Sequence, residues 1–286
     1  MASPLDFLHM SKALRAFTAA QTTQNQEHIK PFHRHLALRL VIEGGFLPDE
    51  VRPHPPVQAR RRGGVCLLEL SPSEEGKGEL TVFGGMKTKQ IDVVVVKNGI
   101  GPVAAVSVKG TLSAYRNLVN RMEEAIGDST NVHVMYPGLV YGFIHLLRTN
   151  RAAAGFGAPD LGIDADGAVS PAIQRYFAAL CEMTGRRFIR NDFTRYESVG
   201  FVMVENQGKA AGEIFAGFPP ADSPLQVDSF FARLYQVYDL RFPLRAEHLP
   251  HARRSAWAED SPLFAEITRE TGQPLEAALG YVPRLG

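Results

Sequence analysis

The sequence predicts an α/β fold on two observations. Short β-forming runs separated by turn signals crowd residues 64–110, and amphipathic helical runs lie on both sides of them. With 286 residues and 45% hydrophobic composition, the chain is long enough to bury a large core. One domain is expected, with a helical N-terminal part (1–63), a central part (64–150) and a C-terminal part (151–286) that completes the fold.

In the N-terminal part, "FHRHLALRLVIEGG" places Phe32, Leu36, Leu40 and Glu43 on one helical stripe before a Gly44-Gly45 stop, so a carboxylate shares an apolar face. The runs "GVCLLEL", "GELTVFGG", "QIDVVVV" and "PVAAVSVK" then predict an antiparallel meander. A helix follows over "LSAYRNLVNRMEEAIGD", its apolar face formed by Tyr115, Leu118, Val119, Met122 and Ile126. "NVHVMY" and "GFIHLL" predict strands, and a Gly-rich loop occupies 153–168. The last third opens with a helix capped by Ser170 and started by Pro171, and continues with a strand "SVGFVMVEN" and a helix "VDSFFARLYQVY".

Several function classes lack their signatures. No run of about 18 apolar residues predicts a membrane span, and "MASPLDFLHMSKALRAF" lacks the pattern of a secretory signal, which points to the cytoplasm. Cys66 and Cys181 are far apart in apolar contexts and read as core residues. No P-loop, G-x-S-x-G or zinc-hydrolase motif is present. His28, His33 and His35 do not share a metal-binding face and read as surface histidines.

The chemistry gathers around one lysine. "IDVVVV" is apolar on both faces, as an interior strand would be, yet it carries Asp92, and a buried carboxylate needs a partner. "KNGIG" is a turn signal joining this strand to "PVAAVSVK", and counting out from Gly99–Ile100 places Asp92 across from residues 107–109. Ser107 and Lys109 share a face there. On the next helix, Glu123 lies about 80° from the centre of the apolar face, so it is expected to reach inward, with Glu124 facing water. Two carboxylates, a lysine and the strand-end carbonyl of Val108 would make a hard-cation site suited to Mg2+, which activates water for attack on a phosphodiester.

These residues resemble the PD-(D/E)xK nuclease superfamily, and more narrowly the Type II restriction endonucleases in which serine replaces the usual acid and a helix glutamate supplies it. Lys109 and Glu123 stand in the K-x13-E spacing of that subgroup. Ile91, not proline, precedes Asp92. The resemblance implies a restriction-endonuclease-like core, a central mixed sheet with an antiparallel catalytic hairpin flanked by helices. It implies that Asp92 and Glu123 bind magnesium, that Lys109 serves the attacking water, that Ser107 fills the vacated acid position, and that Glu43 supports the site from an N-terminal helix. The activity implied is magnesium-dependent cleavage of double-stranded DNA at a short specific site by a homodimer. A repair or recombination nuclease of the same fold, a catalytically inactive DNA-binding protein, and an unrelated α/β domain with a structural Asp92–Lys109 ion pair are the alternatives.

Net charge is only +1, so DNA contacts must come from local clusters. "GRRFIRNDFTR" offers Arg186, Arg187, Arg190, Asn191, Asp192 and Arg195, which mix phosphate-seeking and base-reading types. Arg253 and Arg254 beside Trp257, "ARRR" at 59–62, and Arg116 and Arg121 on the helix after Lys109 are further candidates.

Overall fold

A computed structural model describes residues 5–22, 26–74, 78, 80–190, 192–244 and 249–286. Its elements in chain order are α1 (Met10–Ala19), α2 (Lys30–Ile42), β1 (Val51–Arg52), β2 (Val57–Arg62), β3 (Val65–Leu70), β4 (Leu80–Val82), β5 (Lys89–Ile91), β6 (Val93–Lys97), β7 (Gly101–Thr111), α3 (Leu118–Met135), β8 (Val140–Arg148), α4 (Pro171–Met183), β9 (Ser198–Val204), α5 (Val227–Arg241), α6 (Pro262–Thr271) and α7 (Leu275–Leu279).

The architecture is α/β, built on a mixed sheet in the order β1-β6-β7-β8-β9. β1, β6 and β7 pair antiparallel, whereas β7, β8 and β9 run parallel. Alternation along the strands gives two cores. Val93, Val95, Val106, Val108, Ile144 and Val202 face a layer that includes α2 and α5. Val94, Ala105, Tyr141, Phe143 and Val199 face α3 and α4. Both faces are covered, which is why the central strands read as continuous apolar runs. At Gly142 a Cβ would stand 2.6 Å from the Phe230 ring, so glycine there lets α5 seat closely on the sheet.

Three expectations about the elements are corrected. The strands of 64–110 do not form one meander: β2–β3 and β4–β5 are separate two-stranded ribbons, and only β6 and β7 enter the main sheet. The N-terminal part is helical only as far as Ile42, because residues 57–62 pair with β3. "NVHVMY" is largely the last turn of α3, not a strand. Val132 falls at helical spacing from Ala125 in the core, and the Asn131 amide binds Met86 N, Lys87 N and Lys87 O of the β4–β5 connection. Tertiary contacts there outweigh the β preference of the two valines.

Candidate active site

The hairpin of β6 and β7 sets the first carboxylate. Val93 pairs with Val106, so Asp92, one residue earlier, stands across from Ser107. Its Oδ2 accepts the Val108 N–H at 2.7 Å, and its Oδ1 lies 3.7 Å from His33 Nε2 on α2. Asp92 was expected inside a two-sided apolar strand; it sits instead at the bend between β5 and β6, with its side chain 23% exposed. Its neighbours on both sides, Ile91 and Val93, are fully buried.

Lys109 lies two residues beyond Ser107 near the end of β7. Its Nζ bonds Glu124 Oε1 at 2.8 Å, and Glu124 Oε2 accepts from Arg121 at 3.0 Å. Partial burial pulls the Glu124 carboxyl upward, but the Lys109 and Arg121 cations outweigh it and hold the group below its ordinary range.

The helix acid that reaches Lys109 is therefore Glu124, and the expectation for Glu123 is corrected. Tyr115 is buried but belongs to a 3-10 turn ahead of α3, and Val119 is exposed, so the face of the helix cannot be counted from either. Leu118, Ala125 and Val132 do mark it, and that face places Glu123 in solvent. Counting Val119 as core, and Tyr115 as a turn of the same helix, rotates the expected face.

Ser107 is buried and shares a 2.7 Å hydrogen bond with the Tyr141 hydroxyl, so its side chain is committed to the α3–α4 core. Glu43 is also corrected. It caps the C-terminal end of α2, where it accepts Arg39 at 2.7 and 3.1 Å and the Tyr235 hydroxyl at 3.0 Å. His33, near the other end of the helix and about 15 Å away along the axis, is the α2 residue beside Asp92.

Asp92, Val108, Lys109, Asn117, Arg121 and His28 line one open cleft of about 500 Å³. The histidines are not surface residues: His28, His33 and His35 are all buried. Burial lowers the His28 pKa, although its ring hydrogen-bonds the backbone of Gly110, which works the other way. The signal for this was α2 itself, which leaves only Lys30 and Arg34 exposed, one turn apart on one side, so that His33 and His35 fall among its buried residues.

The basic clusters divide. Arg186 is buried, donating to Glu197 at 2.6 Å and to the carbonyls of Pro137 and Ile189, so it is an internal ion-pair residue and not a DNA contact. Arg254 is likewise taken up, by Asp239 at 2.9 and 2.6 Å and by Gly44 O. Arg187, Arg190, Arg195 and Arg253 are exposed. Asp192 folds onto the Thr194 amide and pairs with Arg195. Asn191 lies outside the described residues. The 186–195 segment leads into the start of β9, whereas Lys109 lies near the end of β7, parallel to it, so these arginines stand toward the other end of the sheet. Arg116 is exposed and lines a neighbouring groove, not the cleft.

Among the described residues no three His, Cys, Asp or Glu side chains converge as a metal-binding group. Magnesium makes a smaller demand, one or two carboxylates with water and phosphate oxygens in its remaining positions, and the oxygen donors beside Lys109 are Asp92 in the cleft and Glu124 on the lysine itself. No helix among the described residues is long and apolar enough to cross a membrane.

No protein-family model, no curated protein and no solved structure matches this chain.

Proposed function

We propose that this chain is a magnesium-dependent DNA endonuclease of the restriction type, acting in the cytoplasm as a homodimer with one active site per strand. The observation that carries the reading is that Asp92 and Lys109, from the two strands of one hairpin, line the same open polar cleft, with Glu124 bonded to Lys109. Asp92 and Glu124 would hold the metal, which supplies Lewis-acid stabilisation and a more acidic bound water. The Val108 amide orients the Asp92 carboxylate through Oδ2 and leaves Oδ1 toward His33. Lys109 exchanges its bond to Glu124 for one to the attacking water or the developing phosphorane charge, a charge-assisted contact worth most in a site that excludes water. Arg121 stands beside it as a second cation for the phosphate.

Incubation with a mapped plasmid, with and without magnesium, followed by sequencing of the ends, tests the reading. Discrete magnesium-dependent fragments with a shared end sequence are expected; cutting confined to junctions or flaps would move the protein to repair. A catalytically silent DNA-binding protein is the second reading, favoured by the full engagement of Lys109 with Glu124. Lys109→Ala separates the two, since DNA binding without any change in cleavage removes the lysine from catalysis.

A further inference from the structure

A groove of about 670 Å³ lies between the start of α3, the 158–161 loop and the first turns of α4. Leu118, Val119, Met122, Pro159, Leu161 and Ala179 give it apolar walls. Val119 is 58% exposed there, a large apolar side chain turned to water with nothing over it. Two arginines, Arg116 and Arg175, line the same groove; both are exposed, and neither forms an ion pair or a hydrogen bond among the described residues. Ser170, which precedes α4 and also lines the groove, is 7% exposed, and its Oγ has no hydrogen-bond partner. No side chain caps α4, so the first-turn N–H groups and the positive end of that helix also lack a side-chain acceptor.

An unpartnered buried hydroxyl, two unpaired guanidinium groups and an uncapped helix start all call for an oxygen anion. The walls between them call for hydrocarbon. We propose that this groove binds a small amphipathic anion, an acyl or aryl carboxylate or phosphate monoester. Its apolar body lies against Val119, Met122 and Leu161, and its head is held by Arg116, Arg175 and the Ser170 end of α4. A DNA backbone fits poorly, because apolar walls would strip water from phosphates without replacing its hydrogen bonds. The site is separate from the cleft that holds Asp92 and Lys109, with the 114–118 segment bordering both. The proposal stands whether or not the chain cuts DNA.

Titration of the full chain with octyl phosphate, octanoate, octanol and inorganic phosphate, followed by calorimetry and by amide chemical shifts, tests it. Octyl phosphate and octanoate are expected to saturate one site and shift amides of residues 115–122 and 170–176. Octanol and inorganic phosphate are expected to bind at least about tenfold more weakly, since each lacks half of the recognition. Arg116→Gln and Arg175→Gln should each lower octyl phosphate affinity about tenfold, and both side chains are exposed, so the folded state survives and an unchanged thermal midpoint verifies it. Octanol binding as tightly as octyl phosphate, affinity unchanged in both arginine variants, or no saturable binding at millimolar ligand would each overturn the proposal.

Discussion

The Nζ of Lys109 lies 2.8 Å from Glu124 Oε1, and Arg121 holds the other oxygen of the same carboxylate at 3.0 Å. One helix acid thus ties the end of the β6–β7 hairpin to α3. The pair is partly solvated, with side chains 26% and 39% exposed, so it adds at most about 1 kcal/mol to stability. Its removal should be felt in chemistry far more than in folding.

Lys109→Ala should therefore reduce magnesium-dependent cleavage by at least about 10²-fold while changing the unfolding free energy by less than about 1 kcal/mol. Cleavage assays at saturating enzyme, together with urea denaturation, check both halves. A large loss of stability with activity per folded molecule retained would assign the lysine to the scaffold.

The two adjacent glutamates should behave differently. Glu124→Gln is expected to lower the cleavage rate by about 10²-fold, and Glu123→Gln to leave it within about twofold, because only Glu124 touches Lys109. Magnesium titration of each variant provides the comparison; equal effects would show that the ion pair is not the relevant contact.

Glu43 should matter for stability and not for catalysis. Arg39 is 3% exposed, and Glu43→Ala leaves its guanidinium buried without a carboxylate, at a cost of about 3 kcal/mol. Arg186→Met is expected to cost about 3–5 kcal/mol, because Glu197, fully buried, loses one of its cations. Chemical denaturation reads both losses. DNA affinity per folded molecule should stay unchanged, which a binding isotherm corrected for folded fraction verifies.

Stability should fall in mild acid. His35 and His145 are wholly buried, and desolvation, reinforced by nearby cations, lowers each pKa to about 3. Their folded values lie below the unfolded value near 6.5, so the unfolded chain binds the extra protons. The stabilisation is complete above that value and is lost as pH falls from about 6.5 toward 3, by up to roughly 1.4 kcal/mol per pH unit for each histidine. Urea midpoints at pH 7.5 and 5.0 measure the slope. His145→Gln should flatten it, and an unchanged slope would place the acid sensitivity elsewhere.

The α/β class, the turn at 98–100 and the meeting of Asp92 with residues 107–109 were legible in the sequence. Turn chemistry and strand alternation are local, and a hairpin converts local counting into a spatial contact. The acid on α3 was not legible to the residue. A helix turns about 100° per residue, so misplacing the start of α3 and its buried face by a few side chains exchanged Glu123 for Glu124. Basic clusters carried still less information. Arg186 and Arg187 are neighbours in the chain, yet one closes a buried network around Glu197 and the other faces solvent, and only long-range packing distinguishes them. By itself the sequence determined the hairpin and the register that sets Asp92 across from Ser107. The tertiary structure decided which helix acid reaches Lys109, that Glu43 serves the far end of α2, and that the histidines of α2 lie inside, because each depends on what an element is packed against and not on its own residues.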